Sequence, residues 1–286
     1  MKAKKIIWLQ GVTCNGNSHS FLNLPSLASL LQQFEFLYHP LLPSPLQLTE
    51  LHKADCDILV VEGGLKQGWK KGKHDLYEIF TDLAKKAKKI VAVGSCAVYG
   101  GVFKEFDPTI TGVLFDKNQK NRLYEQFFDK TVNIPGCPAH PEWIAFGIQN
   151  DSFSFDEYRR PKEIFAFTVH SGCTRNEYFE WKVDAKSFGT KEGCLFYEQG
   201  CQAPFTHGSC NRILWNEINS KTRSGTPCFG CTEPNFPKTG LFHTKTYMGI
   251  PADMPLGVPK RAYLTITGIA KSFQIPRLTK RLIDED

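Results

Sequence analysis

Between His170 and Cys231 the chain reads VHSGC, EGCLFYEQGC, GSC and TPCFGC, so six of its ten cysteines and two of its histidines fall within 62 residues. Thiols at that density have no use in an ordinary apolar core, whereas soft metal centres require them. Whatever fold the chain adopts must therefore bring this segment's sulfurs into ligating positions.

The compartment narrows the choice further. MKAKKIIWLQGVTC runs from a few lysines straight into a strand-like segment, without the long apolar run and small-residue cleavage site of a secretory leader or a twin-arginine pair. The chain is expected to stay in the cytoplasm, where thiols are kept reduced, so metal binding explains its cysteines better than disulfides do. Cys56, in ADCDILVVEG, has no partner at ligand spacing and reads as a plain buried thiol. No window approaches the roughly 18 to 20 apolar residues of a membrane span, and the C-terminal RLTKRLIDED is charged. The net charge of +6 comes largely from local lysine runs at 2–5, 66–73 and 85–89. With no nucleic-acid-binding signature beside them, they read as a solvated basic face, one that could also dock an acidic electron carrier.

The first half alternates strand and helix patterns. Apolar runs at Ile6–Leu9, FEFLYHP, Asp57–Val61, KIVAVGSC and TVNIPGC are separated by helical stretches. SFLNLPSLASLLQQ reads as one helix despite Pro25. A second helix carries Leu76, Ile79, Phe80, Leu83, Ala84 and Ala87 on one face, with Asp75 as its N-cap. Parallel strands need crossover connections, so this pattern predicts a doubly wound α/β sheet of the flavodoxin-like kind over residues 1–150. Ligands of such sheets sit beyond the carboxyl ends of the strands, where Cys14, Cys96 and Cys137 all fall, each beside glycines. Residues 151–286 lose the alternation and read as a loop-rich domain whose cohesion comes from metal centres.

Thiolates select zinc, copper(I) or iron-sulfur clusters. Zinc modules present paired C-x2-C or H-x3-H units. Here only Cys228 and Cys231 form a C-x2-C pair and His170 with Cys173 an H-x2-C pair, while Cys194, Cys201 and Cys210 stand alone. Such dispersed donors suit iron-sulfur clusters better.

The motifs WLQGVTCNGN, VVEGG, GSCAVYGG, IPGCPAHP, HSGCTR, GCLFYEQGC, THGSC, LWN and PCFGCTEPNFP occur in one order over nearly the whole chain. In this the sequence resembles the small, electron-transferring subunit of nickel-iron hydrogenases, with wording closest to the cytosolic uptake and sensory branch. The resemblance implies three iron-sulfur clusters in a row. Cys14, Cys96 and Cys137 would hold the proximal one, nearest a nickel-iron centre in the partner large subunit. Cys210, Cys228 and Cys231 would hold a medial [3Fe-4S] cluster. His170, Cys173, Cys194 and Cys201 would hold a distal [4Fe-4S] cluster from which electrons leave to an external acceptor such as a ferredoxin or a quinone pathway. The large subunit would oxidise H2 to protons and electrons, so the chain alone is not expected to be catalytic. A sensing complex that signals to a kinase is the alternative, and a higher oligomer of heterodimers is compatible with either.

Two departures from the family pattern stand out. Asn17 occupies the place of a fourth proximal cysteine, so either Asn17 or water completes a [4Fe-4S] cluster or the site is [3Fe-4S]. Cys194 and Cys201 are seven apart, and Gln202 and Ala203 follow in place of a basic residue and a glycine. Around these ligands, Glu62 reads as a residue supporting the crevice or the interface and His140 as a helix start. His207 reads as a hydrogen-bonding neighbour, Arg175 as a hydrogen-bonding residue beside the distal site, and Trp215 and Phe229 as packing around the medial one.

Overall fold

A computed structural model describes residues 3–239 and 241–243, with only scattered positions beyond, up to 269; the charged C-terminal stretch lies outside the described residues. By contacts the chain divides into two units. One comprises Met1–Ala166 with Cys231–Phe236, the other Phe167–Gly230 with Pro237–Asp286. The change in character expected near residue 150 thus falls at Ala166, and a short later stretch belongs to the first unit.

That unit is built on five parallel strands: β1 (Lys4–Gln10), β2 (Phe34–Tyr38), β3 (Ile58–Glu62), β4 (Lys89–Val93) and β5 (Thr131–Ile134). Their order across the sheet is β2-β1-β3-β4-β5, the flavodoxin-like doubly wound order. β3 and β4 are buried along their whole length, as strands covered on both faces must be. Alternation sends Ile7, Leu9, Leu59, Val61, Ile90 and Ala92 into one core cluster. Helix α3 (Leu76–Lys86) delivers Leu76, Ile79, Phe80 and Leu83 to that same cluster. Asp75 starts α3 by accepting the N–H groups of Tyr77 and Glu78 at 2.9 and 3.1 Å. Phe80 is fully buried, and trimming it to alanine would cost about 3–5 kcal/mol.

The stretch around Pro25 departs from the single predicted helix. It forms α1 (Gly16–Leu22) and α2 (Leu27–Gln33), separated by a turn that contains Pro25. Proline lacks the N–H that would bond the carbonyl four residues back, and its ring clashes there. The break leaves α1 as a short helix that starts beside Cys14.

Among the described residues the second unit has little regular structure: 3-10 turns, the helix Asn176–Trp181 and a short antiparallel pair, Thr246–Tyr247 with Ile250–Pro251, among loops. Among the described residues, no helix is long and apolar enough to cross a membrane.

Candidate metal centres

The first cysteine group lies where the sheet topology requires. Cys14 follows β1 by four residues, Cys96 follows β4 by three and Cys137 follows β5 by three, all at the carboxyl end of the sheet. Ser95 stitches two of these loops together. Its N–H donates to the Gly136 carbonyl at 2.9 Å and its hydroxyl accepts the Gly136 N–H at 3.0 Å. The same hydroxyl donates to the carbonyl of Cys231, anchoring the returning stretch beside Cys96. Burial pushes the Cys96 thiol above its usual range, while the N–H groups of Phe103 and Val102 act in the opposite direction by donating to its sulfur. Those amides belong to α4 (Gly101–Lys104), whose first residue has φ +53° and must be glycine. A Cβ there would stand 2.8 Å from the Cys96 sulfur.

Glu62 is the hub of this rim. It is fully buried. Its carboxylate accepts from Trp8 Nε1 at 3.0 Å, Gln10 Nε2 at 3.2 Å and Thr13 Oγ1 at 3.3 Å. It also accepts from the backbone N–H groups of Asn17 and Ser18 at 3.0 and 3.1 Å, and from the Ser18 hydroxyl. One carboxylate thus satisfies orphan amides in the first turn of α1 and fixes the loop that presents Cys14. Its support of the crevice was legible from its place before two glycines; the six bonds were not. His140 is, as expected, an N-cap: its Nδ1 accepts the Glu142 N–H at 3.2 Å at the start of the helix Pro141–Gln149.

In the second unit His170, Cys173, Cys194 and Cys201 line one small cavity, walled by Phe179, Leu195, Phe196, Ala203 and Pro204. Burial pushes the Cys194 and Cys201 thiols up to about 12, and burial lowers the pKa of His170. The site thus offers a neutral imidazole beside thiols that lose their protons only when a cation compensates. Main-chain amides aim at the sulfurs. The N–H of Arg175 donates to Cys173 at 3.4 Å, that of Phe196 to Cys194, and those of Ala203 and Cys228 to Cys201, the last at 3.3 Å. Hydrogen-bonded sulfurs in a dry, aromatic-walled pocket are the environment that sets cluster potentials. The His170 ring stands edge-on to Phe179 at 4.5 Å between centroids.

Arg175, expected beside this site, does more than neighbour it. Its buried guanidinium donates from Nε to the Thr222 carbonyl at 2.7 Å and from Nη1 to the carbonyls of Glu192 and Gly193 at 3.2 and 2.7 Å; Nη2 reaches the Thr190 carbonyl. The loop leading into Cys194 is thereby clamped.

Of the remaining three cysteines, Cys228 sits with Cys201 in an apolar cluster against which Cys210 packs. Cys231 begins the stretch held in the first unit by Ser95 and by Arg160. The buried Arg160 Nη1 donates to the Thr232 carbonyl at 3.0 Å and pairs with Glu233 at 3.3 Å. Arg160 and Ser95 escaped the sequence reading because neither lies in a pattern that marks a distant partner. Phe229 packs at 5.3 Å on Phe242, His207 pairs with Thr168 in an isolated bridge, and Trp215 closes a turn with Asn219. Cys56 is buried in the first unit's core, its thiol pushed up to about 12 mainly by burial, as a bystander should be.

Among the described residues, no three His, Cys, Asp or Glu side chains converge on a point that could hold a single metal ion. The donors that do gather, three thiols and an imidazole around one apolar cavity, are soft ligands of the kind iron-sulfur clusters take. A larger cavity, of about 790 Å³, opens at the opposite, amino-terminal end of the strands. Most of its cations already serve neighbours, Lys88 pairing with Asp57 and Lys89 bonding the carbonyls of Ile148 and Asn150.

Known proteins decide the family. Residues 165–243 match the family of the carboxyl-terminal region of NiFe/NiFeSe hydrogenase small subunits, and residues 14–150 match the family of the NADH ubiquinone oxidoreductase 20 kDa subunit. The F420 non-reducing hydrogenase I small subunit of Methanosarcina mazei is 34% identical, covering 82% of this chain and 73% of its own. The chain belongs to the nickel-iron hydrogenase small subunits. The periplasmic [NiFe] hydrogenase small subunit of Solidesulfovibrio fructosivorans is 32% identical over 81% of this chain and 78% of its own. Among solved structures, the Ni-Fe-Se hydrogenase of Desulfomicrobium baculatum superposes with a TM-score of 0.70 at 27% identity, covering 85% of this chain and 100% of its own. The actinobacterial-type NiFe-hydrogenase of Ralstonia eutropha H16 shares the fold, with a TM-score of 0.72 at 22% identity over 99% of this chain and 95% of its own. Hydrogenase small subunits carry iron-sulfur clusters and work in an oxidoreductase complex with a nickel-iron large subunit.

Proposed function

We propose that this hydrogenase small subunit relays electrons through three iron-sulfur clusters between the nickel-iron centre of its large subunit, where H2 is oxidised, and an external acceptor. The clusters supply one-electron redox chemistry, and the chain supplies ligands, distances and dryness. Cys14, Cys96 and Cys137 hold the proximal cluster, Cys210, Cys228 and Cys231 a medial [3Fe-4S] cluster, and His170, Cys173, Cys194 and Cys201 a distal [4Fe-4S] cluster.

The observation that carries this reading is the distal cavity. Three cysteines and an imidazole from positions 31 residues apart meet there, with amide donors on the sulfurs and aromatic rings that exclude water. Pairing with the large subunit is supported by the carboxyl-end rim, where Cys14 is exposed. Phe106, 83% exposed, and the exposed Trp69 stand on loops joined by the Lys66–Asp107 ion pair and offer apolar surface to a partner.

Anaerobic coproduction with the large subunit, followed by iron and sulfide analysis and electron paramagnetic resonance, tests the reading. Three clusters of at least three irons each require roughly nine iron atoms per chain. A fully loaded complex with clearly fewer overturns the three-cluster assignment.

A further inference from the structure

Asn17 is buried three residues after Cys14, and the structure gives its side chain a definite task. The amide oxygen accepts the Ala139 N–H at 2.8 Å. Only the oxygen can do so, because Nδ2 and the Ala139 amide are both donors; chemistry alone fixes which way the side chain is turned. Gly94 provides the space. A Cβ at that residue would stand 2.3 Å from Nδ2 and 2.8 Å from Oδ1. The backbone N–H of Asn17 is held in turn by Glu62 at 3.0 Å.

The positions of these partners matter. Asn17 follows Cys14 by three residues, Gly94 precedes Cys96 by two, and Ala139 follows Cys137 by two. One side chain, 7% exposed, therefore touches or adjoins each of the three segments that carry a proximal cysteine. A neutral amide oxygen is a hard, weak donor beside thiolate, and this one already accepts a hydrogen bond that fixes its direction. The nitrogen end has no lone pair to offer a metal.

We infer that Asn17 is not an iron ligand but a bolt that hydrogen-bonds the Cys14 loop to the Cys137 loop and packs against Gly94 before Cys96, and that the proximal cluster is held by Cys14, Cys96 and Cys137 alone. The inference rests on the proposed assignment of those three cysteines to one cluster. The fourth corner is then either without iron or closed by a small exchangeable ligand such as water, and not by Asn17.

The test uses the intact heterodimer, produced anaerobically. In a structure of the loaded complex, Asn17 Oδ1 stays within hydrogen-bonding distance of Ala139 N and outside bonding distance of every iron; an Oδ1–iron bond overturns the inference. Asn17→Ala removes the bolt without removing a ligand. Losing a hydrogen bond of about 1 kcal/mol lowers proximal occupancy by roughly fivefold. The molecules that stay loaded keep the wild-type g values, and altered g values overturn the inference. Should Asn17→Ala load no proximal cluster, Asn17→Asp, which still offers Ala139 an acceptor, restores occupancy; failure to restore it counts against the bolt. Absence of any proximal signal from wild-type protein whose distal centre is loaded is a separate failure, and it sinks the site assignment itself.

Discussion

Replacing Glu62 by glutamine keeps the shape of the side chain and reverses half of its hydrogen bonding. If the amide oxygen takes the place of Oε1, the bonds from Thr13, Asn17 N and Ser18 N survive. The new NH2 group then faces Trp8 Nε1, Gln10 Nε2 and the Ser18 hydroxyl. Ser18 can turn its hydroxyl to accept. Gln10 can turn its amide only by giving up the bond to Asn15 Oδ1 at 2.9 Å. Trp8 is 0% exposed and its indole N–H has no other bond, so it becomes an orphaned buried donor. An orphaned donor costs roughly 1–3 kcal/mol and a lost charge-assisted bond a comparable amount, about 3 kcal/mol together. Because the damage is local, hydrogen exchange of the heterodimer reads it directly. Amides between residues 11 and 22 should exchange roughly a hundredfold faster in Glu62→Gln. Adding Trp8→Phe removes the orphaned donor, so the double variant should be milder than the sum of the two by about 1–2 kcal/mol. Unchanged exchange in Glu62→Gln, or strict additivity in the double variant, would refute the reasoning.

Three further outcomes are expected. His39 is buried against Trp8, with its pKa lowered to about 4 by burial, partly opposed by Glu62. Between pH 6.5 and 4 the unfolded chain binds a proton that the folded one refuses, so its contribution is complete above pH 6.5 and declines as the pH falls. About 2 kcal/mol should be lost by pH 5, and His39→Asn, which can still accept the Leu41 N–H, should flatten that slope in denaturation profiles. Cys56→Ala should leave the iron content of the complex unchanged while costing about 1 kcal/mol of stability, and any loss of iron would contradict its bystander role. Arg175→Ala unclamps the loop before Cys194, so the distal signal should weaken severalfold while proximal signals persist; equal loss of both would point to general unfolding.

What the sequence disclosed was whatever acts locally. The five strand runs, the Asp75 and His140 caps and the isolation of Cys56 each follow from a few neighbouring residues. The convergence of Cys14, Cys96 and Cys137 followed too, because a parallel sheet carries all its strand ends to one side. The break at Pro25 runs against the pattern: the apolar spacing on both sides is helical, and the proline decides only through the carbonyl it excludes. Arg175, Arg160 and Ser95 stayed hidden for another reason. Each acts on main-chain carbonyls that can lie far along the chain, as far as 136 residues from Ser95, and a carbonyl has no letter in the sequence.

The same anonymity governs the amides that meet the sulfurs. Cys173, Cys194 and Cys201 each receive the N–H of the residue two places on, whatever its side chain. At Cys137 the amide two places on, that of Ala139, is diverted to Asn17. The donor at each of those three positions is therefore independent of the side chain, although at Arg175 the guanidinium adds a charge beside the sulfurs and a clamp of its own. Proline is the exception, because it alone erases the donor. For the donor itself the rule is a prohibition: any residue but proline supplies it.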